Sequence, residues 1–273
     1  MNIGAHVSIA GGIQNAPERA SELGCEAMQI FTRSPQGGKA PELIPDLIKE
    51  FRLRTTNYEL RTVVVHTPYY INFASVNNRI RYGSVSVVRD ELERASLLGA
   101  KYVMTHLGSA GELSEKDATE KVVEMLKKTL DGYSGSAELL IENSAGAGKI
   151  IGATFSQIAE IIKKVNHTSL VGICMDTQHS FASGYDWRDF ENTIKKIGSE
   201  IGIEKIKLIH VNDSMTELAS HKDRHEHIGQ GKIGLEAFKN IVAFAKEKNI
   251  DMILETEHEK VKKDIELLKK FRD

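Results

Sequence analysis

The chain has 273 residues, and 36 Lys plus Arg stand against 38 Asp plus Glu, a formal net charge of −2. A hydrophobic share of 41% beside 27% charged residues suits a globular protein with a large core, and excludes a disordered chain, a collagen-like repeat or a disulfide scaffold. Acids slightly outnumber bases, which excludes a surface that is basic all round, and no apolar run approaches the roughly 18 residues of a membrane span.

One unit recurs along the chain: a short apolar run, a polar loop, then an amphipathic helical stretch. The first run, residues 2–7, ends near His6 and opens without the basic and apolar regions of a secretory leader. Gly24, placed as a helix C-cap, precedes the second run at 27–31. The third, 61–65, contains Thr62-Val63-Val64-Val65 and leads into His66. A helix over 87–98, capped by Gly99, is followed by the run 102–105 and His106. Helix 118–130 precedes strand 139–141 and Glu142; helix 155–165 precedes strand 171–175 and Asp176. The run 206–211 contains His210, and helix 235–246 precedes strand 252–254, Glu255 and a last helix over 259–271. Several runs are apolar without alternation, as strands buried on both faces of a parallel sheet are.

Eight such strands, each followed by a helix, predict an α/β fold: a (β/α)₈ TIM barrel, one domain over residues 1–273. A doubly wound sheet would want a glycine fingerprint after an early strand, and Ala10-Gly11-Gly12 lacks the spacing. Cys25 and Cys174, far apart in apolar stretches, fit buried reduced thiols in a cytoplasmic protein.

His6, His66, His106, Glu142, Asp176, His210 and Glu255 all fall at carboxyl ends of strands, which converge on one rim of a barrel. Carboxylates crowded there would repel each other and lose hydration unless a cation compensated them. Two loops add ligand types: Asp176-Thr177-Gln178-His179 and Asp223-Arg224-His225-Glu226-His227. Mixed His and carboxylate donors without thiolate favour Zn²⁺, Mn²⁺ or Fe²⁺. So many donors exceed one tetrahedral ion, and Glu142 is suited to bridge two. Closely spaced metals serve phosphoryl transfer, so a multinuclear metallohydrolase acting on a phosphate ester is expected.

The motifs Gly4-Ala5-His6-Val7-Ser8, Glu142-Asn143-Ser144-Ala145-Gly146, Asp176-Thr177-Gln178-His179 with Phe181-Ala182-Ser183-Gly184-Tyr185-Asp186, and His210-Val211-Asn212-Asp213-Ser214 resemble those of the endonuclease IV family. Lys222-Asp223-Arg224-His225-Glu226-His227-Ile228-Gly229-Gln230-Gly231 does so too, and the resemblance spans essentially the whole chain. It implies a zinc-dependent endonuclease of DNA base-excision repair on a (β/α)₈ barrel. The substrate would be duplex DNA with an abasic site, cleaved 5′ to the lesion to leave a 3′-hydroxyl and a 5′-deoxyribose phosphate. Three zinc ions are implied, with Mn²⁺ or Fe²⁺ as substitutes. His66 and His106 would hold the first, with Glu142 shared with the second. Asp176, His210 and Glu255 would complete the second, and His179, Asp223 and His225 the third. Glu142 would orient or deprotonate the attacking water.

For DNA contact, the resemblance places Tyr69 as a wedge into the gap left by a flipped nucleotide, with Arg224 in the third-metal loop. Gln36, within Arg33-Ser34-Pro35-Gln36-Gly37-Gly38-Lys39, stands where the family carries an Arg wedge, and lacks that side chain's charge and planar stack. Leu107 and Gln178 replace a usual Pro and Cys, with little expected effect on metal binding. Three zinc ions would bring the formal −2 of the whole chain to about +4, with the added charge concentrated on the rim, where Arg33, Lys39, Lys149, Arg188, Lys222 and Arg224 are expected in loops. A monomer without a membrane or obligate protein partner is expected. The competing expectation is a metal-dependent sugar isomerase or epimerase, whose barrels gather the same residue types but need two metals at most. His6 reads as a rim residue near the site, His227 as either a support for the third ligand group or a spacer, and Trp187 as packing for the next helix.

Overall fold

The strands form where the chain is β-branched and apolar on both faces. A computed structural model, describing residues 1–256 and 258–273, shows β1 (Ile3–His6), β2 (Ala27–Ile30), β3 (Thr62–His66), β4 (Tyr102–Thr105), β5 (Glu138–Glu142), β6 (Leu170–Asp176) and β7 (Ile206–His210). Two short strands, β8 (Asp213–Ser214) and β9 (His225–Glu226), form a separate antiparallel pair, and β10 (Asp251–Leu254) follows. β1, β10, β7, β6, β5, β4, β3 and β2 close in that order into a barrel with every neighbour parallel. The (β/α)₈ expectation holds.

Alternate residues of each strand point into and out of the barrel. The inward set, including Val64, Met104, Leu140, Cys174, Leu208 and Ile253, forms its own buried apolar cluster. The outward set joins the larger core beneath the helices. Two apolar faces explain runs that never alternate. Gly4 lets β1 and β2 approach, because a Cβ there would sit 1.7 Å from the Ala27 carbonyl oxygen.

The helices are α1 (Ala16–Glu22), α2 (Pro45–Asn57), α3 (Asn78–Leu98), α4 (Glu115–Leu130), α5 (Phe155–Val165), α6 (Thr177–Ala182), α7 (Phe190–Ile201), α8 (Leu235–Lys248) and α9 (His258–Arg272). α3 starts nine residues before the predicted 87: the Asn77 side chain caps the N–H groups of Arg79 and Ile80, and the first turns are largely exposed, so they carry no apolar period. It ends where Gly99 takes the left-handed conformation, at φ 76°. α1, α2, α6 and α7 fall outside the five stretches named from periodicity. α2 buries only Phe51, too little to print an amphipathic pattern.

At the amino-terminal end of the barrel, Asp251 accepts hydrogen bonds from Asn2 N (2.6 Å) and across the barrel from Thr62 Oγ1 (2.6 Å). No described helix is long and apolar enough to cross a membrane.

Candidate metal centre

Glu142, the last residue of β5, is fully buried and stands at the middle of the opposite rim. Its Oε2 lies 3.4 Å from His66 Nε2 and 3.3 Å from His106 Nε2. Its Oε1 lies 3.0 Å from His210 Nδ1 and 3.3 Å from His179 Nδ1. Glu255 Oε2 approaches His210 Nδ1 at 3.0 Å. Asp176 Oδ2 is 3.6 Å from His225 Nε2, while Asp223 reaches His179 Nε2 at 3.3 Å and His225 Nε2 at 3.5 Å.

Three groups of donor atoms result, each within a 4.8 Å span: His66, His106 and Glu142; Glu142, Asp176, His210 and Glu255; and Asp176, His179 and His225. Asp223 closes on the third from an exposed loop. All nine candidate ligand positions therefore meet on one rim, with Glu142 common to two groups and Asp176 placed between the second and third.

The donor chemistry fits cations. His66 Nδ1 lies 2.5 Å from the Thr67 carbonyl and His179 Nδ1 3.0 Å from the Asn143 carbonyl. A carbonyl oxygen only accepts, so those nitrogens carry protons, and Nε2 of each ring is the atom turned toward carboxylate oxygens. A divalent ion seated between them would displace any Nε2 proton and take nitrogen and carboxylate oxygen together as ligands. Glu142 Oε2, His179 Nε2 and His225 Nε2 are buried without any hydrogen-bond partner, a cost of roughly 1–3 kcal/mol or more each that divalent ions would remove. Burial alone would raise the Glu142 carboxyl, but the surrounding histidines, His106 and His210 foremost, hold it well below the ordinary carboxylate range. Burial lowers His6, which stays neutral at the rim beside Phe31, ring centroids 4.5 Å apart.

Local structure aims these groups. The Asp176 side chain caps α6 by accepting from His179 N at 2.6 Å, which sets His179 one turn on and facing back to the rim. Trp187 secures that short helix, donating Nε1–H to the Thr177 carbonyl (3.0 Å) and Ser180 Oγ (2.9 Å). It packs the helix before it, not only the one after. Asn212 donates to Asp176 Oδ2 at 2.7 Å and accepts from Glu255 N at 2.9 Å, joining two carboxylates. β8 and β9 pair Ser214 with His225. His227 binds Asp264 at 2.6 Å and joins none of the three groups, so it ties the loop to α9.

One expectation changes. Arg33 is not a free rim cation: it is buried and paired with Asp90 and Glu91 of α3, because the β2–α2 loop folds its base onto that helix. Gln178 donates its Nε2–H to the Lys222 carbonyl at 2.9 Å, next to Asp223 in sequence. Gln29, wholly buried and bonded to Glu255 and His210, was not among the candidates. Its signal was a polar residue inside the apolar run 27–31.

A cavity of about 560 Å³ opens over the rim, lined by His66, His106, Glu142, Asp223 and His225 together with Tyr69. Tyr69 stands 69% exposed against Phe31 and His66, with centroids 5.4 and 5.9 Å away. Gln36 and Arg224 are exposed on neighbouring loops.

A closed parallel barrel with His and carboxylate groups gathered on its carboxyl rim is an enzyme-type metal barrel, and residues 17–271 match the family described as "Xylose isomerase-like TIM barrel". Within that class, the chain is 37% identical to "Probable endonuclease 4" of Halothermothrix orenii, over 100% of this chain and 99% of that protein. The crystal structure of endonuclease IV from Thermus thermophilus superposes with a TM-score of 0.88 at 34% identity, covering 100% of this chain and 98% of that one. The chain belongs to the endonuclease IV family. A D-tagatose 3-epimerase-like protein shares the fold, with a TM-score of 0.76 at 24% identity over 99% of this chain and 97% of that one.

Proposed function

We propose that this member of the endonuclease IV family, a hydrolase of the nuclease class, repairs DNA by hydrolysing the phosphodiester 5′ to abasic sites in duplex DNA, leaving a 3′-hydroxyl and a 5′-deoxyribose phosphate. Residues 1–273 would act as one catalytic domain, monomeric and cytoplasmic. The observation that carries the proposal is the gathering of eight of the nine expected ligands into three donor groups on one rim, with Glu142 shared between two and Asp223 against His179 and His225. His66, His106 and Glu142 would hold one zinc ion, Glu142, Asp176, His210 and Glu255 a second, and His179, Asp223 and His225 a third. Mn²⁺ or Fe²⁺ would serve as substitutes. Bound there, such ions supply Lewis-acid charge to the phosphate oxygens and ease loss of a proton from water.

The chain's own groups do the rest. Glu142 would take a proton from the attacking water and orient that water. The Thr67 and Asn143 carbonyls bind Nδ1 of His66 and His179, which leaves Nε2 of each as the atom that would face a bound ion. Tyr69 offers an exposed ring at the cavity edge to fill the gap left by an extruded nucleotide. Gln36 would act beside it through hydrogen bonds alone, and Arg224 would meet a phosphate.

The test combines zinc analysis with an incision assay on a duplex carrying one tetrahydrofuran residue. About three zinc per chain and cleavage 5′ to the lesion are expected, with loss of about 10³-fold or more in Glu142→Gln on the scale of a removed catalytic base. Sugar isomerisation without incision would overturn the proposal.

A further inference from the structure

Gln29 is a buried polar residue on a strand whose inward neighbours are apolar, so its amide is costly there unless all of it is bonded. It is fully bonded, and to three rim residues at once. Its Nε2 lies 2.6 Å from Glu255 Oε1 and 2.9 Å from His6 Nδ1, and its Oε1 lies 2.8 Å from His210 Nε2.

The partners fix the amide. A carboxylate only accepts, so the amide nitrogen must face Glu255 and the oxygen must face His210. That oxygen in turn only accepts, so His210 carries its proton on Nε2. Nδ1 is then the atom left facing the point where Glu142 Oε1 and Glu255 Oε2 converge, each 3.0 Å away. The same amide engages Oε1 of Glu255 and leaves Oε2 facing that point. One side chain thus selects the donor atom of two residues from two other strand ends.

We propose that Gln29 is the positioning residue of the second metal group, setting His210 Nδ1 and Glu255 Oε2 as its donor atoms. The inference rests on the metal-centre proposal above. Groups that orient metal ligands from behind are worth about 10–100-fold in metal affinity. A side chain that merely filled space would be replaced by Met without such a loss, since Met has similar length and volume.

The test uses the full chain loaded with zinc, titrated with a chromogenic chelator, in wild type and Gln29→Met. One zinc equivalent should leave the variant at about 10–100-fold lower chelator activity, the others at wild-type values, with the melting temperature of the zinc-stripped chains unchanged. Zinc retention equal to wild type would overturn the proposal, as would parallel loss of every equivalent with a lowered melting temperature. A second measurement needs no variant to fold as wild type: long-range ¹⁵N–¹H spectra of zinc-loaded wild type should place the His210 proton on Nε2. A proton on Nδ1 would sink the idea. A wild-type chain that retains no zinc would overturn the metal-centre proposal itself, and this one with it.

Discussion

The buried carboxylate of Asp213 accepts the backbone N–H of Gly231 at 3.0 Å, and those of Gly229 (3.0 Å), Ile233 (2.9 Å) and its own neighbour Ser214 (2.7 Å). One side chain therefore replaces water for three amides of the loop that follows His225 and for that of Ser214 in β8. A Cβ on Gly231 would lie 2.4 Å from the Ser214 carbonyl oxygen, so the loop is seated on β8 with nothing between. Asp213→Ala should strand several buried donors and destabilise the chain by about 2–4 kcal/mol, at roughly 1–3 kcal/mol per unsatisfied buried group with partial relief by water. Zinc should be lost first from the group of His179, Asp223 and His225. Chemical denaturation and stepwise chelation check both halves, and a variant as stable as wild type would refute the role given to Asp213.

Glu26, just before β2, joins the first and last elements of the barrel. Its carboxylate accepts from Ile3 N at 3.1 Å and binds Arg272 of α9 at 2.5 Å, with Lys269 at 3.4 Å. Burial pushes its carboxyl up, but the Arg272 bond, the Ile3 N–H and the Lys269 charge outweigh it and hold the group below its ordinary value of 4.5. A lowered acid contributes stability above the ordinary value and loses it as the pH falls through the lowered one. Glu26→Gln should therefore cost about 1 kcal/mol at pH 7 and progressively less as the pH is taken down through the lowered value. Metal loss in acid is common to both chains and cancels in the difference. Urea titrations across that range decide; a difference that does not change with pH would show that the charge of Glu26 is irrelevant.

The barrel was legible because its strands are short, apolar on both faces and punctuated by chemistry: His66, Glu142, Asp176 and His210 each close a strand, and the observed ends agree within a residue or two. The ligand candidates were legible for the same reason, since strand ends in a barrel converge whatever the loop lengths. What joins them was not. Gln29 and Asp213 act through partners hundreds or tens of residues away, Glu255 in one case and Gly229–Gly234 in the other, and such pairings leave no local period in the chain. Arg33 misled for a related reason. A charged residue in a loop reads as solvated, and only the packing of that loop onto α3 brings Asp90 and Glu91 beneath it.

The two arginines nearest the cavity in sequence should therefore behave oppositely. Arg33 is buried against Glu91, which also accepts from Thr32 Oγ1 at 2.6 Å, while Arg224 is exposed beside Asp223. Arg33→Ala leaves buried Glu91 with only the charge of Arg94 nearby, a loss of about 2–4 kcal/mol of stability. It should leave the salt dependence of binding to abasic duplex DNA unchanged. Arg224→Ala should spare stability within about 0.5 kcal/mol, weaken DNA binding, and reduce the slope of log affinity against log salt by about 1, the signature of one lost phosphate contact. Thermal melts and binding titrations at several salt concentrations separate the two. If Arg33→Ala lowered the salt slope and kept the fold, the guanidinium would have to leave its α3 partners to reach DNA, and the buried pairing could not be its working state.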